Sequence, residues 1–316
     1  MIELTNVTKA YGSLVALDSL TLTIGQGEIF GFIGPNGAGK STTMKILACL
    51  TRPDSGVARV GGLDVTIDGA TIRTRVGYMP DFLGVYDDLT VDEYLQFFAS
   101  AFRIRRGKRR PIVDSVLELT DLTAKKHAMV DSLSRGMQQR LGVARVLIHE
   151  PTVLLLDEPA SGLDPRARIE MRELLVELGR MGKTIMVSSH ILSELAEFCT
   201  SIGIIERGKL LYAGSIEDAY AKASAGERIV ISLEEGSVPA AELARTLGSA
   251  NGTIGALVGS AAAENGQLVL DLKPGVRSHH ELIGVLMSSG ARIASFTPKQ
   301  IKLEDAFLRL TKGAVN

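Results

Sequence analysis

Short runs of apolar and β-branched residues, separated by turns, mark the first part of the chain. Three such runs, at 2–7, 17–24 and 28–33, are separated by turns that contain glycine, and they predict strands. Two later apolar stretches, at 153–156 and 184–188, are typical of central parallel strands, which are buried on both faces. The pattern therefore predicts an α/β core.

Apolar residues recur at helical spacing elsewhere. Helices are predicted at 41–50 and 166–181, and residues 90–150 are predicted to be mostly helical. Thr90 followed by Glu93 is the pattern of a capping box, which satisfies free N–H groups at the start of a helix. Three aromatic residues of this segment are predicted to lie in its core: Phe97, Phe98 and Phe102.

The remainder of the chain is predicted from turns and from a change in composition. Turn residues at 53–56 precede short strands that end at residue 79, and a hairpin is predicted around Arg207-Gly208. The composition changes at 221–227, where alanine, serine and glycine dominate. Beyond that point the pattern predicts three strands and two helices, at 228–233, 267–272, 291–297, 279–289 and 303–311.

Length and composition indicate two domains. The 316 residues suit one large and one small domain, which we place at 1–220, with a helical subdomain at about 82–150, and at 226–316, a small α+β domain. The net charge of −1 creates no overall field toward nucleic acid, and no nucleic-acid partner is expected. Without a leader or an apolar run long enough to span a bilayer, we expect a cytoplasmic chain.

A glycine-rich segment gives the first chemical signal. Residues 34–42 read GPNGAGKST and match the pattern G-x-x-x-x-G-K-[ST] between a predicted strand and a predicted helix. Backbone N–H groups of such a loop point at phosphate oxygens, and the helix adds its positive end. The predicted ATP contacts are therefore Gly34, Pro35, Asn36, Gly37, Ala38, Gly39, Lys40, Ser41 and Thr42, with Lys40 on the β- and γ-phosphates and Ser41 on Mg²⁺.

Two carboxylates follow the apolar stretch at 153–156. Ligands of α/β proteins bind at the carboxyl ends of parallel strands, where this stretch would place Asp157 and Glu158. Asp157 suits a contact with Mg²⁺ through water, and Glu158 suits a general base for attack on the γ-phosphate. The sequence therefore predicts ATP hydrolysis.

Further motifs identify a family resemblance. The segment LSRGMQQR at 133–140 resembles the LSGGQ signature of the ABC (ATP-binding cassette) family, and residues 161–164 resemble its D-loop. His190 resembles the family's switch histidine, and Tyr11 stands where the family places an aromatic residue on adenine. The segment 77–90 resembles the Q-loop. The resemblance covers about residues 1–218, in the family's order.

The resemblance implies a fold and a mode of action. It implies a P-loop NTPase cassette with a mixed sheet core, an antiparallel β subdomain and a helical subdomain. Two chains would form a head-to-tail homodimer that sandwiches ATP, with Ser134, Gly136 and Asp164 at that interface and His190 on the γ-phosphate. The dimer would drive export through a separate integral-membrane permease, so that the chain lies peripherally on the inner face of the cell membrane.

The sequence departs from the family pattern at three positions. Arg135 and Met137 replace a glycine and the glutamine of the signature, while Ser134 and Gly136 remain. Asp81 stands where the Q-loop has glutamine. Asp81 is either a residue that contacts nucleotide-bound Mg²⁺ or an aspartate that caps the turn after Pro80.

Two segments keep alternative interpretations. The basic tract 103–110 is either a solvated face or a contact with anionic lipid or a permease loop. Residues 228–316 resemble the small extension of ABC-2-type export cassettes, which stabilises a dimer or binds a regulatory ligand. Two other classes of ABC protein fit the sequence less well. Soluble ABC proteins of translation usually carry two cassettes, whereas this chain has one, and chromosome ATPases need a long coiled coil between the motifs, which is not present here.

Overall fold

The computed structural model describes residues 1–82, 84, 88–216, 218, 228–248, 257–273 and 279–299. The chain divides into two compact units, Met1–Ile216 and Glu217–Asn316. The predicted domain limits stay a prediction, because residues 219–227, where we placed the boundary, lie outside the described residues. The predicted helix at 303–311 and the motif IKLEDAFLRLT within residues 301–311 also lie outside them.

A four-stranded sheet in the first unit, of order β2-β1-β4-β5, carries the antiparallel part of the fold. Its strands are β1 (Ile2–Tyr11), β2 (Leu14–Ile24), β4 (Ser55–Val60) and β5 (Leu63–Asp64). Inward-facing residues such as Ile2, Leu4 and Ile24 are buried, while their neighbours along the strands are exposed. This alternation confirms the strands predicted at 2–7 and 17–24, both of which extend further than predicted.

The second sheet of this unit has six strands in the order β10-β9-β3-β8-β7-β6. Its strands are β3 (Ile29–Ile33), β6 (Val76–Met79), β7 (Val153–Leu156), β8 (Thr184–Ser189), β9 (Ser201–Glu206) and β10 (Lys209–Ser215). The pairings are parallel except between β9 and β10, which form the predicted hairpin. Every residue of β7 and β8 is buried, as the apolar pattern predicted, and every residue of β3 is buried as well.

The register of this sheet positions the candidate site. Ile33 pairs with Ser189, and Leu156 pairs with both Met79 and Val187. The strands β3, β6, β7 and β8 therefore end at one edge of the sheet. The segments that follow them carry the predicted phosphate loop and the side chains Asp81, Asp157, Glu158 and His190.

Helices of the first unit pack on these sheets. They are α1 (Lys40–Leu47), α2 (Gly69–Arg73), α3 (Val91–Ala101), α4 (Arg106–Leu119), α5 (Arg135–Leu147), α6 (Pro165–Arg180) and α7 (Leu192–Ala196). The mostly helical segment 90–150 is confirmed. So is the capping box, because the Thr90 hydroxyl accepts a hydrogen bond from the Glu93 N–H and the Glu93 carboxylate accepts one from the Thr90 N–H.

One packing prediction in this segment is wrong. Phe97 and Phe102 are 50% and 41% exposed, and Phe98 is only partly buried. The core of α3 is formed instead by Val91, Tyr94, Leu95 and Ala99. Phe98 and Phe102 line an open groove rather than a core, and Phe97 is exposed.

The second unit has its own sheet and core. Its elements are β11 (Arg228–Leu233), α8 (Ala240–Gly248), β12 (Val258–Glu264), β13 (Gln267–Leu272), α9 (His279–Ser288) and β14 (Ile293–Lys299). The sheet is antiparallel with the order β12-β13-β11-β14. A βαββαβ chain with this strand order is a ferredoxin-like arrangement. The predicted strands and the helix at 279–289 are present, whereas α8 and β12 were not predicted.

Candidate nucleotide site

The glycine-rich segment forms a loop between β3 and α1, as its sequence context predicted. Gly39 is the N-cap of α1 and has φ +111°, a left-handed backbone conformation that favours glycine. A Cβ atom at Gly39 would lie 2.6 Å from the Ala16 carbonyl oxygen, so no larger residue fits. Pro35, Asn36, Gly37 and Ser41 are exposed, whereas Gly34, Ala38, Gly39 and Lys40 are buried and Thr42 is partly buried.

The Lys40 ammonium lies at the centre of the candidate site. The side chain is only 6% exposed, and its Nζ atom donates hydrogen bonds to the carbonyl oxygens of Gly34, at 2.6 Å, and Pro35, at 3.3 Å. Nζ also lies 3.3 Å from Glu158 Oε1. The buried Lys40 ammonium thus connects the glycine-rich loop to the Glu158 carboxylate. Its positive charge is the one that a bound phosphate group would contact.

The carboxylates after β7 occupy two different environments. Asp157 is 2% exposed, and its Oδ1 atom accepts a hydrogen bond of 2.6 Å from the Ser188 hydroxyl. The same hydroxyl accepts a 2.9 Å hydrogen bond from the Glu158 N–H. Ser188 therefore fixes both residues, although the sequence analysis did not single it out. The sequence feature that could have identified Ser188 is a hydroxyl side chain near the carboxyl end of a predicted parallel strand.

Glu158 has the geometry of a functional residue. Its backbone φ is +50°, a strained value for a side-chain-bearing residue that costs about 1–3 kcal/mol and tends to occur at functional sites. Its Oε2 atom lies 2.9 Å from His190 Nδ1, while Oε1 accepts no hydrogen bond from the described residues. The carboxylate is therefore held between Lys40 and His190 with one oxygen still able to accept a proton.

Asp81 lies close to this carboxylate group, two residues after β6. Burial and the negative charges of Asp157 and Glu158 raise the pKa of Asp81, and the positive charges of Arg135 and His190 partly oppose that rise. Burial, and then the negative charges of Asp157 and Asp81, also raise the pKa of the Tyr78 hydroxyl. The clustering of negative charge is what a divalent cation would relieve.

The structure brings Lys40, Asp81, Asp157, Glu158 and His190 together. Three further predicted site residues, Ser134, Gly136 and Asp164, form a second group at the N-termini of α5 and α6. Ser134 caps α5 by accepting a hydrogen bond from the Met137 N–H, and Asp164 caps α6 through the Ala167 N–H at 3.0 Å. Gly136 lets the two helix starts approach closely, since a Cβ atom there would lie 2.7 Å from Ala167 Cβ. The nucleotide roles of these residues stay predictions.

Tyr11 lies apart from both groups, at the end of β1. It is 47% exposed, and the Lys9 ammonium lies 5.5 Å from the centre of its ring. An exposed aromatic face of this kind could stack on a base, so its predicted adenine contact stays a prediction.

Mg²⁺ would find suitable ligands at this site. The ion usually keeps several waters and binds through one or two carboxylates together with substrate phosphates. Asp157, Asp81 and the exposed Ser41 hydroxyl provide hard oxygen atoms of this kind. Within the described ranges, no cluster of three or more His, Cys, Asp or Glu side chains forms a metal cage. The donor set therefore fits an ion that arrives with the nucleotide.

Comparison with known proteins identifies the family to which the chain is similar. Residues 17–161 match the family model described as ABC transporter. The chain is 38% identical over 228 residues to the probable multidrug ABC transporter ATP-binding protein YbhF of Escherichia coli, which covers 72% of this chain but only 39% of that protein. It is 39% identical over 214 residues to Nod factor export ATP-binding protein I of Paraburkholderia xenovorans, covering 68% of this chain and 70% of that protein.

Solved structures agree at the level of the fold. The dimeric post-hydrolysis structure of the ATP-binding cassette MJ0796 with ADP and Pi has a TM-score of 0.63 at 27% identity, covering 68% of this chain and 99% of that chain. The cassette cbiO1 from Clostridium perfringens has a TM-score of 0.64, also at 27% identity, with 70% and 90% coverage.

The fold and the site define a P-loop nucleotide-binding protein of the α/β class, and the predicted cassette fold is confirmed. The chain belongs to the ABC transporter family, as an ATP-binding cassette of the kind that family uses as its ATPase subunit. The predicted resemblance is therefore confirmed. In the described part of the chain, no helix has the length and apolar character needed to cross a bilayer.

Proposed function

We propose that this chain binds and hydrolyses ATP and thereby energises export through a separate integral-membrane permease. The observation that carries the proposal is the position of Glu158. Its carboxylate is held between the Lys40 ammonium and His190 at the edge of the sheet where the glycine-rich loop begins. A base, a phosphate-binding cation and a loop of backbone donors are the parts that phosphoryl transfer requires.

Each side chain of the site has a role in this proposal. Lys40 would exchange its carbonyl contacts and its contact with Glu158 for the β- and γ-phosphates. Glu158, released from Lys40, would orient the attacking water and accept its proton, while His190 holds the carboxylate through Nδ1. Ser41, Asp157 and Asp81 would hold Mg²⁺, which supplies charge neutralisation on the phosphate oxygens when it is bound.

We propose that the active form is a head-to-tail homodimer. Ser134 and Gly136 would contact the γ-phosphate bound to the partner's loop, Asp164 would lie at the same interface, and Tyr11 would stack on adenine. Support comes from the start of α5, where an exposed Ser134 and a helix N-terminus offer an anion-binding end. The related MJ0796 cassette is itself a dimer in the structure with ADP and Pi.

Asp81 provides a test of the metal assignment. Asp81→Ala should raise the Mg²⁺ concentration for half-maximal ATPase activity by about fivefold, the loss expected for one hydrogen-bonding contact of roughly 1 kcal/mol. Asp81→Gln should keep the wild-type requirement, because its amide oxygen remains an acceptor. Magnesium titrations of both ATP binding and hydrolysis would measure the effect.

Two variants calibrate the Asp81 experiment. Asp88→Ala removes an exposed carboxylate from the same segment and should leave the magnesium curve unchanged. Asp157→Ala should shift the curve more than Asp81→Ala, because Asp157 is buried at the strand end. If Asp81→Ala follows the wild-type curve while Asp157→Ala does not, Asp81 is a turn residue.

The permease contact is proposed at a groove beside α3. Two adjoining cavities, of about 270 and 360 Å³, share Phe102 and His149 in their lining. The Phe102 ring stacks on His149 at 4.1 Å, and burial holds the pKa of His149 below its usual value, which favours a neutral ring. Leu50, at 60% exposure, also lines the groove, so apolar side chains face outward beside the charged side chains of Arg73 and Arg145.

The groove gives a prediction for assembly. Phe102→Asp should weaken binding to the permease about 30-fold, the roughly 2 kcal/mol typical of an aromatic anchor, while ATPase activity of the isolated chain stays within about twofold. Co-purification with integral-membrane proteins from detergent-solubilised membranes of the source cells would measure it. Ile67→Asp, at an apolar position 80% exposed and outside the groove lining, should bind normally.

In this proposal the permease places the chain in the cytoplasm, peripherally on the inner face of the cell membrane. The relatives' names refer to multidrug and Nod factor export, which differ in cargo. The first of these relatives is much longer than this chain, which spans 39% of its length. If the single variants Phe102→Asp and Ile67→Asp both lose permease binding, the assignment of the groove as the contact is contradicted.

A further inference from the structure

Arg135, the first residue of α5, lies on a loop of the candidate site. A Cβ atom placed on Gly162 would meet the Arg135 guanidinium, at 2.5 Å from Cζ and 2.6 Å from each Nη atom. Such uniform distances mean that the planar group lies flat over the Cα atom of Gly162. This contact is possible because residue 162 has no side chain and adopts φ +67°, which favours glycine.

The loop beneath Arg135 is short and leads directly to Glu158. The Ser161 N–H donates to the Glu158 carbonyl at 3.0 Å, and the Leu163 N–H donates to the Ala160 carbonyl at 3.3 Å. Two successive turns thus connect the strained Glu158 to the cap of α6 at Asp164. A displacement of Gly162 would therefore also shift the backbone of Glu158, because only one turn lies between the two residues.

The charge of Arg135 also acts on the carboxylate group. Among the described residues, Arg135 and His190 are the cations that lower the pKa of Asp81, against burial and the charges of Asp157 and Glu158. The Arg135 guanidinium therefore lies near enough to Asp81 for its positive charge to act there. Its position combines a packing contact with the loop and a favourable charge beside the site.

We propose that Arg135 is a positioning residue for ATP hydrolysis, which holds the loop 159–164 through Gly162 and thereby fixes Glu158. The proposal rests on the proposed role of Glu158 as the base. Arg135 replaces a glycine of the family signature, so the contact is a feature of this chain's own sequence. A planar guanidinium can lie flat on a backbone surface in a way that the ammonium of lysine cannot.

The first test separates positioning from nucleotide contact. Arg135→Ala should lower the kcat of ATP hydrolysis about tenfold with KM for ATP within about twofold, because a misplaced catalytic group slows the chemical step without weakening ground-state binding. Arg135→Lys should recover less than half of the lost rate. Arg135 is exposed, so its removal should not affect folding, and Arg166→Ala is a control that removes an exposed arginine near the same loop.

The second test is a double-mutant cycle with Gly162. Gly162→Ala should lower kcat about tenfold in the wild-type background, because the methyl group displaces the guanidinium. In the Arg135→Ala background it should lower kcat at most about twofold, since only the backbone strain remains. Gly182→Ala is the matched strain control, because Gly182 has φ +82° and open space around its Cβ position.

The outcomes are distinguishable. Equal effects of Gly162→Ala in both backgrounds would overturn the proposal, as would a raised KM with unchanged kcat in Arg135→Ala. A wild-type chain without ATPase activity, or one unaffected by Glu158→Gln, would refute the proposed function itself. If Glu158→Gln is inactive while the Arg135 variants retain wild-type kcat, only the positioning role fails.

Discussion

Replacing Lys40 by alanine is expected to abolish measurable ATP hydrolysis and to weaken ATP binding about 30-fold. The binding loss corresponds to one charge-assisted contact of roughly 2 kcal/mol. The rate loss is larger, about 10³-fold or more, because charge builds up on the transferring phosphoryl group in the transition state. Equilibrium binding of a fluorescent ATP analogue and a phosphate-release assay would measure the two effects separately.

The structure adds a second reason for the Lys40 effect. Lys40 Nζ donates hydrogen bonds to the carbonyl oxygens of Gly34 and Pro35 and contacts Glu158, so its removal takes away a buried cation that joins the loop to the carboxylate. Lys45→Ala is the matched control, because Lys45 lies on α1 but is exposed. Unchanged turnover in Lys40→Ala would refute the assignment of the nucleotide site.

Parts of the fold followed from the sequence because local and tertiary preferences agree there. The run Val153–Leu156 has the predicted bounds, since it is wholly apolar and lies between a proline-containing turn and two carboxylates. The strand β12, in contrast, reads VGSAAAE and has little strand propensity of its own. It forms because it pairs along its length with β13, apart from one register shift between Val258 and Ser260, and a local pattern does not contain that contact.

The exposure of Phe97 and Phe102 shows a different limit. An apolar pattern locates the apolar side of a helix, but it does not reveal whether another element covers all of that side. Tyr94 and Leu95 are fully buried on the same helix, while Phe97 and Phe102 line or border an open groove. The missing information is the tertiary arrangement of α3, α5 and α1.

The candidate site was predicted residue by residue, but its contacts were not. Lys40, Asp157, Glu158 and His190 were identifiable because each follows a predicted strand in a known order. Their pairing, with Glu158 between Lys40 and His190, depends on the register of β3, β7 and β8. The role of Ser188 and the packing of the Arg135 guanidinium on Gly162 were not predicted from the sequence for the same reason. Both are defined only by contacts between distant elements.

The second large effect is expected for Glu158→Gln. Glutamine keeps the size of the side chain and can still bond to His190, but it cannot accept the proton of the attacking water. Hydrolysis should therefore fall by two or more orders of magnitude, the range for loss of a general base, while ATP binding persists. The neutral amide also frees Lys40 from its contact at 3.3 Å, so ATP should bind at least as tightly as in the wild type.

A variant that binds but does not hydrolyse ATP should accumulate in the closed state. Under the sandwich proposal, ATP bonds both chains, so Glu158→Gln with ATP and Mg²⁺ should elute as a dimer in size-exclusion chromatography. Glu173→Gln, on α6, removes the same charge at a position without a predicted role and should hydrolyse ATP normally. A Glu158→Gln chain that binds ATP yet stays monomeric, where the wild type dimerises, would count against the sandwich. Turnover at the wild-type rate would instead remove Glu158 as the base.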